Sequence, residues 1–305
     1  MSNLAKLSVS PHIHSGRSTS GIMLDVIISL LPATIAGVVI FGLRAALVVA
    51  ICVLSCVGFE ALFNLIVKKT QTIGDLSSVV TGLLLALNLP ANIPLWQCVV
   101  GSLFAIIVVK CLFGGIGNNL VNPAITARVF MLVAFSSLTN AAFPVDAVAG
   151  ATPLSAETMP SLLTLFLGNY GGAIGETCTL ALILGGIYLL VRKVITWHIP
   201  VVFIGGVFVF TLLMKGFDPM LALSLTLSGG VFIGAIFMAT DYVTSPSTSW
   251  GKVIFGLGAA LLTCLIRYYG TYPEGVSFAI LFMNILTPYI SRFTARKVFG
   301  TGGNK

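Results

Sequence analysis

Long runs of apolar residues, one after another, constrain this chain more than any other feature. A helix needs about 20 apolar residues to cross the hydrocarbon core of a bilayer, and most of the runs approach that length. Only short polar segments separate them. The sequence therefore predicts an all-α, polytopic membrane protein with about ten transmembrane helices. The predicted spans are 23–43, 45–67, 76–89, 95–113, 120–138, 174–191, 197–214, 219–239, 252–269 and 276–291.

Charged residues make up only 8% of the chain, whereas 57% of the residues are hydrophobic. A soluble domain contains about 25% charged residues, so this composition excludes one. The formal net charge is +7, but the Lys and Arg residues are spread over many loops. A nucleic-acid-binding surface would cluster them on one face. We therefore predict no nucleic-acid partner, and the lipid bilayer as the environment.

The distribution of Lys and Arg predicts the orientation. If the N-terminus is cytoplasmic, most cations, Lys110 among them, fall on the cytoplasmic side, and only Arg44, Lys215 and Arg267 fall opposite. Such a bias marks the cytoplasmic face, so we expect both termini there. The predicted divisions are a cytoplasmic arm (1–22), a first membrane repeat (23–138), an extracytoplasmic loop (139–173), a second membrane repeat (174–291) and a basic cytoplasmic tail (292–305).

Two segments, 89–115 and 245–270, share a pattern in which Trp96 corresponds to Trp250 and Gly114 to Gly270. About five spans per half would give the halves opposite orientations, the inverted-repeat plan of many transporters. Chance similarity between apolar helices is the alternative. The helix breaks at 90–94 and 241–249 would expose backbone polar groups at depth, which is tolerated where they line a cavity.

The stretch "GGIGNNLVNPA" at 114–124 contains Asn118, Asn119 and Asn122. It is either a tight loop with asparagine caps or a helix start whose N–H groups and amides bind a phosphate, a flavin edge or an ion. Arg128 follows inside a span, where an unpaired cation costs a few kcal/mol or more. We predict that Arg128 faces the protein interior and is paired.

Four acids, Asp25, Glu60, Asp75 and Asp241, lie in or near the spans and could line an ion path. Placement at helix ends explains Asp75 and Asp241 almost as well. The six cysteines form no close cluster and the three histidines lack partners in the sequence, so we predict no metal or iron–sulfur site. Dinucleotide and P-loop fingerprints are also missing, which argues against NAD or ATP binding by this chain.

Several stretches together identify a family: "PHIHSGRSTSGIMLDVIISLLPA", "TGLLLALNLPANIPLW", "FGGIGNNLVNPAITARVF" and "IRYYGTYPEGVSFAILFMNILTPYI". They closely resemble the family formed by the D-type subunits of Rnf electron-transport complexes and the B-type subunits of sodium-pumping NADH:quinone oxidoreductases. The resemblance runs from about residue 8 to residue 297. The chain lacks the longer N-terminal extension of the quinone-reductase branch, which favours the Rnf branch.

The resemblance implies a subunit of an ion-translocating oxidoreductase in the bacterial inner membrane. Such a complex couples electron transfer between ferredoxin and NAD to Na⁺ or H⁺ movement. NAD and ferredoxin would bind other subunits, and the partners would include a second flavin subunit and iron–sulfur subunits.

The resemblance also implies covalent FMN. Family members carry FMN esterified through its phosphate to a threonine in a motif resembling D-x-x-[ST]-G-A-T, and a transferase attaches it. Here Asp146, Gly150, Ala151 and Thr152 match, and Ala149 replaces the usual hydroxyl residue. Thr152 is therefore the expected attachment site. The relatives also hold noncovalent riboflavin nearer the cytoplasmic face.

We take Asn118, Asn119, Asn122 and Arg128 as further cofactor-binding candidates. A cofactor-free channel or solute transporter of the same architecture is one alternative function. A scaffold that only holds redox partners in place is another. The first would leave the purified subunit colourless, and the second would make Thr152 dispensable.

Overall fold

The computed structural model of the protein describes residues 18–135, 161–168, 170–270 and 275–295, together with the backbone of 143–145 and 148–150. Helices account for most of these residues. They are α1 (Thr19–Phe41), α2 (Leu43–Ile66), α3 (Ser77–Leu87), α4 (Leu95–Leu103), α5 (Pro123–Ala134), α6 (Leu162–Leu167), α7 (Thr179–Val191), α8 (His198–Met214), α9 (Pro219–Leu227), α10 (Val231–Ile233), α11 (Ser249–Tyr269) and α12 (Val276–Thr294). Two π-helical segments, Phe104–Cys111 and Gly234–Met238, continue α4 and α10.

Four of these helices, α1, α2, α11 and α12, are long and apolar enough to cross a membrane. The pair formed by α9 and the α10 segment would be a fifth span, bent by 67° at its break. Five more helices are apolar but shorter, namely α3, α4 with its π-helical continuation, α5, α7 and α8. The prediction of an all-α membrane protein is confirmed, whereas the number of ten crossings stays a prediction.

A glycine separates α1 from α2. Gly42 has φ of +73°, a left-handed conformation that glycine adopts without strain, and its N–H donates to the carbonyl of Val38. The chain therefore turns within one residue, and α2 begins at Leu43. At the other end of α1, the Ser18 hydroxyl accepts a hydrogen bond from the Gly21 N–H and caps the helix.

Several carbonyl groups at the breaks in the helices accept hydrogen bonds from other parts of the protein. After α3, the carbonyls of Leu87 and Leu89 accept hydrogen bonds from the N–H groups of Gly175 (2.8 Å) and Ile174 (3.1 Å). After α9, the guanidinium of Arg267 donates to the carbonyls of Leu225 and Ser228. Protein donors thus replace the water that a bilayer cannot supply.

Helix packing follows a similar order in the two parts of the chain that correspond to the predicted membrane repeats, 23–138 and 174–291. In the first part, α2 packs against α3 and α4, and in the second part α8 packs against α9 and α11. The two parts meet where α1 packs along α7. This contact is close because Gly37 and Gly185 have no side chains and lie against the backbone of Ile174 and Ser29.

A small β-hairpin lies inside the segment predicted as an extracytoplasmic loop. Strand β1 (Phe143–Val145) pairs antiparallel with β2 (Val148–Gly150), with Phe143 opposite Gly150. The same segment contains α6, which starts after Ser161, whose hydroxyl accepts from the Thr164 N–H. The sequence prediction contained neither element.

Replacing Gly185 by valine should disrupt the contact between α1 and α7. A Cβ there would lie 2.2 Å from the Ser29 carbonyl oxygen, and such overpacking costs about 3 kcal/mol. We expect a clear loss of monodisperse protein in detergent, measured by size-exclusion chromatography, and a lower unfolding temperature. Gly205→Val is the matched control, since nothing lies within 4 Å of a Cβ at that helical glycine. Equal behaviour of the two variants would contradict the packing.

Candidate functional site

A cavity lies where the first turns of α1, α3 and α5 meet the ends of α4 and α7. We call it the Asn119 cavity. With its open mouth and the solvent there it encloses about 870 Å³. Apolar side chains form most of its wall, and polar groups of Ser77, Thr81, Lys110, Asn119, Asn122, Thr240 and Asp241 interrupt it.

The three asparagines of the predicted binding stretch have different surroundings. Asn122 is buried and caps α5, since its Oδ1 accepts from the N–H groups of Ala124 (3.0 Å) and Ile125 (3.4 Å). Its Nδ2 donates to the Met238 carbonyl at 3.3 Å. Asn119 lines the cavity, and its buried Oδ1 accepts no hydrogen bond from any described residue. Asn118 is exposed and does not contribute to the wall.

Asp241, in the second predicted break, lies on the opposite wall of the Asn119 cavity. Its Oδ2 accepts from the Thr244 hydroxyl at 3.0 Å, and its carbonyl accepts from the Ser245 hydroxyl at 2.6 Å. Burial raises the pKa of Asp241, and the hydrogen bond from Thr244 opposes that shift. The carboxyl group is thus held in place by a local turn while one side faces the cavity.

Arg128 is buried and paired, as predicted. It is 4% exposed, and its Nη1 lies 2.9 Å from Oε1 of Glu176. The same Nη1 donates to the Asn88 side-chain oxygen. These contacts join α5 to the break after α3 and to the segment before α7. Arg128 does not line the Asn119 cavity, so the structure separates it from Asn119 and Asn122.

A second cavity lies on the other side of Lys110, and we call it the Glu60 cavity. With its mouth it encloses about 600 Å³, and it is lined by Glu60, Phe63, Asn64, Lys69, Thr70, Thr72, Cys111, Gly114, Gly115 and Ile116. Glu60 accepts from Lys110 Nζ at 2.8 Å and from the Thr72 hydroxyl at 2.8 Å. Both Glu60 and Lys110 are 2% exposed.

In the sequence-based prediction, Lys110 was counted among the cations of the cytoplasmic side, at the end of the predicted span 95–113, and its burial and pairing were not predicted. The structure places it in the π-helical segment after α4, inside the protein. A lysine that directly follows apolar residues, with an acid in the neighbouring span, was the signal for a buried pair. The remaining acids have helix-end partners: Asp25 pairs with Arg192 at 3.2 Å, and Asp75 accepts from the Ser77 N–H and hydroxyl.

The candidate flavin-attachment motif is only partly described. Gly150 is the last residue of β2, whereas Asp146, Ala151 and Thr152 lie outside the described residues. The break at 90–94 contributes no residue to either cavity. Across the described ranges, no group of three or more His, Cys, Asp or Glu residues could hold a metal ion.

Comparison with known proteins places the chain in a family. The NQR2, RnfD, RnfE family matches residues 6–300, almost the whole chain. The chain belongs to this family. The D-type subunit of the Na⁺-translocating ferredoxin:NAD⁺ oxidoreductase complex of Acetobacterium woodii is 48% identical, covering 96% of this chain and 95% of the relative.

Two further members of the family show how widely it is distributed. The D-type subunit of the proton-translocating ferredoxin:NAD⁺ oxidoreductase complex of Clostridium ljungdahlii is 41% identical over 98% of the chain and 97% of the relative. The D-type subunit of the ion-translocating oxidoreductase complex of Stutzerimonas stutzeri is 36% identical over 93% and 92%. The family resemblance found in the sequence is thereby confirmed.

Replacing one residue of the Arg128–Glu176 ion pair should strongly destabilise the protein. Arg128→Gln or Glu176→Gln breaks a buried ion pair, which costs about 3–5 kcal/mol. The double variant should lose less than the sum, because both substitutions remove the same contact. Thermal unfolding in detergent measures all three. Arg192→Gln is the control, since that side chain is 55% exposed and such a pair contributes about 1 kcal/mol or less. Additive losses in the double variant would contradict a coupled pair.

Proposed function

We propose that this chain is the D-type membrane subunit of an ion-translocating ferredoxin:NAD⁺ oxidoreductase complex. The supporting observation is 48% identity, over 96% of the chain, to a relative that bears this name. NAD and ferredoxin bind other subunits of the complex, which include a second flavin subunit and iron–sulfur subunits. The coupling ion is Na⁺ or H⁺, and relatives of both kinds match over nearly their full length.

The proposed topology has ten helices in two inverted halves. The equivalence of Trp96 and Trp250 supports it, since each is the second residue of a helix that follows a proline-containing break. Further support comes from Asn122 and Asn284, near the start of α5 and within α12. Oriented with its oxygen toward Asn122, the Asn284 amide accepts from the Asn122 N–H and donates to the Thr244 carbonyl, both at 3.2 Å.

Both termini are proposed to lie in the cytoplasm. Contacts between helix ends gather the basic residues on one side of the molecule: Arg192 pairs with Asp25 near the start of α1, and Lys252 donates to Thr196. Lys69 lines the Glu60 cavity at the same side. A concentration of cations at one end is expected of the cytoplasmic face. Both cavities therefore open toward the cytoplasm.

We propose that Thr152 carries FMN through a phosphoester. The matching residues Asp146, Gly150 and Ala151 support this assignment. Strand β2 ends at Gly150, two residues before Thr152. Bound there, FMN would supply electron transfer on the extracytoplasmic side. The small neighbours Gly150 and Ala151 leave the threonine accessible to the transferase.

We propose that a noncovalent flavin such as riboflavin binds at the Asn119 cavity. A flat ring system needs apolar walls, and side chains including Val26, Leu84 and Phe237 provide them. Its polar edge carries an N–H group, and the buried Asn119 Oδ1 is an acceptor without a described donor. The hydroxyl groups of Ser77 and Thr240 also line the cavity. They are proposed partners for the polyhydroxyl side chain of the flavin. The flavin would supply an electron carrier near the cytoplasm, and the protein would orient it.

Covalent attachment is tested by in-gel ultraviolet fluorescence of the denatured protein, expressed with its flavin transferase. The wild type should fluoresce and Thr152→Ala should not, because the phosphoester oxygen is removed. Thr158→Ala, six residues away, is the control and should keep the signal. Ala149→Ser, which restores the usual motif residue, should keep it as well. Fluorescence that persists in Thr152→Ala would contradict the assignment, and a colourless wild type would favour a cofactor-free transporter.

Noncovalent binding is tested by acid extraction of the purified protein and chromatography of the released flavin. Asn119→Leu should lose most of it, because the acceptor in the cavity wall is replaced by an apolar group that also fills space. Asn118→Leu is the matched control, since the neighbouring side chain is exposed and lies outside the wall. Equal flavin content in both variants would contradict binding in this cavity.

A further inference from the structure

Four aromatic side chains form a cluster between α4 and α5, which we call the Trp96 cluster. Phe104 and Phe130 stack in parallel with their ring centroids 4.1 Å apart, and Phe135 meets Phe130 edge to face at 6.5 Å. Trp96 meets Phe135 edge to face at 5.2 Å. The three phenylalanines are partly buried, whereas Trp96 is 58% exposed. One flat side chain is thus held by its neighbours and left largely uncovered.

The Trp96 cluster lies at the extracytoplasmic end of the proposed topology. Trp96 is the second residue of α4, and Lys110, near the other end of the same continuous helix, pairs with Glu60 late in α2. A helix rises about 1.5 Å per residue, so roughly 20 Å separates Trp96 from Lys110. Trp96 therefore lies toward the start of α2, away from the end at which Lys110 meets both cavities.

The segment that carries Thr152 starts from this cluster. Phe135 is the last residue described before that segment. Strand β1 begins at Phe143, eight residues later, and the hairpin pairs Phe143 with Gly150, two residues before Thr152. The pairing shortens the path from Phe135 to Thr152 to about ten residue lengths, which an extended chain spans in roughly 35 Å. Trp96, in contact with Phe135, is within reach of a group attached to Thr152.

The surface around Trp96 has a positive charge nearby. Arg44, in the first turn of α2, is exposed, and it interacts electrostatically with Cys98, two residues after Trp96. Neither α4 nor the first half of α2 contains an acidic residue. A phosphate that joins FMN to a threonine keeps one negative charge, which a nearby cation attracts. The surface therefore matches a flat aromatic group that carries an anion.

We propose that the isoalloxazine ring of FMN carried on Thr152 stacks on Trp96, with the positive charge of Arg44 complementing its phosphate. This inference rests on the proposed covalent flavin. Aromatic rings pack on an indole in offset arrangements, and exposed aromatic side chains hold planar heterocycles by stacking in many nucleotide-binding proteins. No covalent bond forms or breaks on docking.

Stacking supplies what the phosphoester cannot. The ester retains the cofactor, but the ribityl chain between phosphate and ring has several rotatable single bonds, so the ring has no fixed plane. Phe135 restricts the indole of Trp96, and Phe130 in turn contacts Phe135. The Trp96 cluster is therefore a preorganised platform that fixes the plane of the ring. Trp96 is thereby assigned as a cofactor-binding residue.

The flavin fluorescence of the folded subunit tests the stacking, because an indole in contact with a flavin quenches its emission. The protein is expressed with its flavin transferase, and the signal of Thr152→Ala is subtracted to remove any noncovalent flavin. Trp96→Leu should raise the emission by about two-fold or more, since the stacked ring is released. Added iodide should then quench the released ring more strongly. Trp96→Tyr, whose ring also stacks and quenches, should stay near the wild-type value.

Trp250→Leu and Tyr269→Leu are the matched controls. Trp250 is the second residue of α11 and 76% exposed, but it lies at the opposite end of the molecule. Tyr269 is 79% exposed at the extracytoplasmic end and does not belong to the Trp96 cluster. Both variants should leave the emission unchanged. A rise in either that equals the rise in Trp96→Leu would overturn the assignment.

The denatured protein separates this proposal from the covalent flavin on which it rests. Unfolding removes the stacking and keeps the ester, so wild type and Trp96→Leu should fluoresce equally in the gel. A wild type without in-gel fluorescence would refute the covalent flavin, and the stacking with it. In-gel fluorescence combined with a folded-state emission that Trp96→Leu leaves unchanged would refute the stacking alone. If Trp96→Leu is not monodisperse, Trp96→Phe replaces it, since a phenyl ring still packs on Phe135 but quenches far less than an indole.

Discussion

Carbonyl groups at interrupted helices must find donors inside the protein, because the bilayer core offers no water. The breaks after α3 and after α9 solve this problem differently. After α3, the backbone N–H groups of residues 174 and 175 serve as donors, and after α9 the side chain of Arg267 does so. The hydrogen bonds after α3 join the segment before α7 to the end of α3. They thereby bring Glu176 to Arg128, and this ion pair also joins the two parts of the chain.

Buried charges follow the same rule of internal satisfaction. Arg128 and Lys110 each lie against a glutamate from a different element, so each pair joins separate parts of the chain. The pairs differ in one respect. Glu176 lies in a contact among α5, the break after α3 and the segment before α7, whereas Glu60 borders a cavity.

Apolar run length was sufficient to predict an all-helical membrane fold, and the cost of a cation at membrane depth was sufficient to predict that Arg128 is paired. The partner, Glu176, was not predictable, since it precedes α7 and reaches Arg128 only through tertiary contacts. The burial of Lys110 was not predicted, because a lysine at the end of an apolar run resembles a cation at the membrane surface. The different surroundings of Asn118 and Asn119 depend on the backbone path between α4 and α5, where three glycines with positive φ set the direction of the chain.

The π-helical segment after α4 has a consequence for how this chain can vary. A π-helical turn holds one residue more than an α-helical turn, so it behaves like a single-residue insertion. If the same sequence continued as an α-helix through Phe104–Cys111, every later residue would lie about 100° further round the helix axis. The ammonium group of Lys110 would then point away from Glu60, although no side chain had been replaced. The wide turn, rather than the chemical identity of its residues, therefore determines that Lys110 faces Glu60.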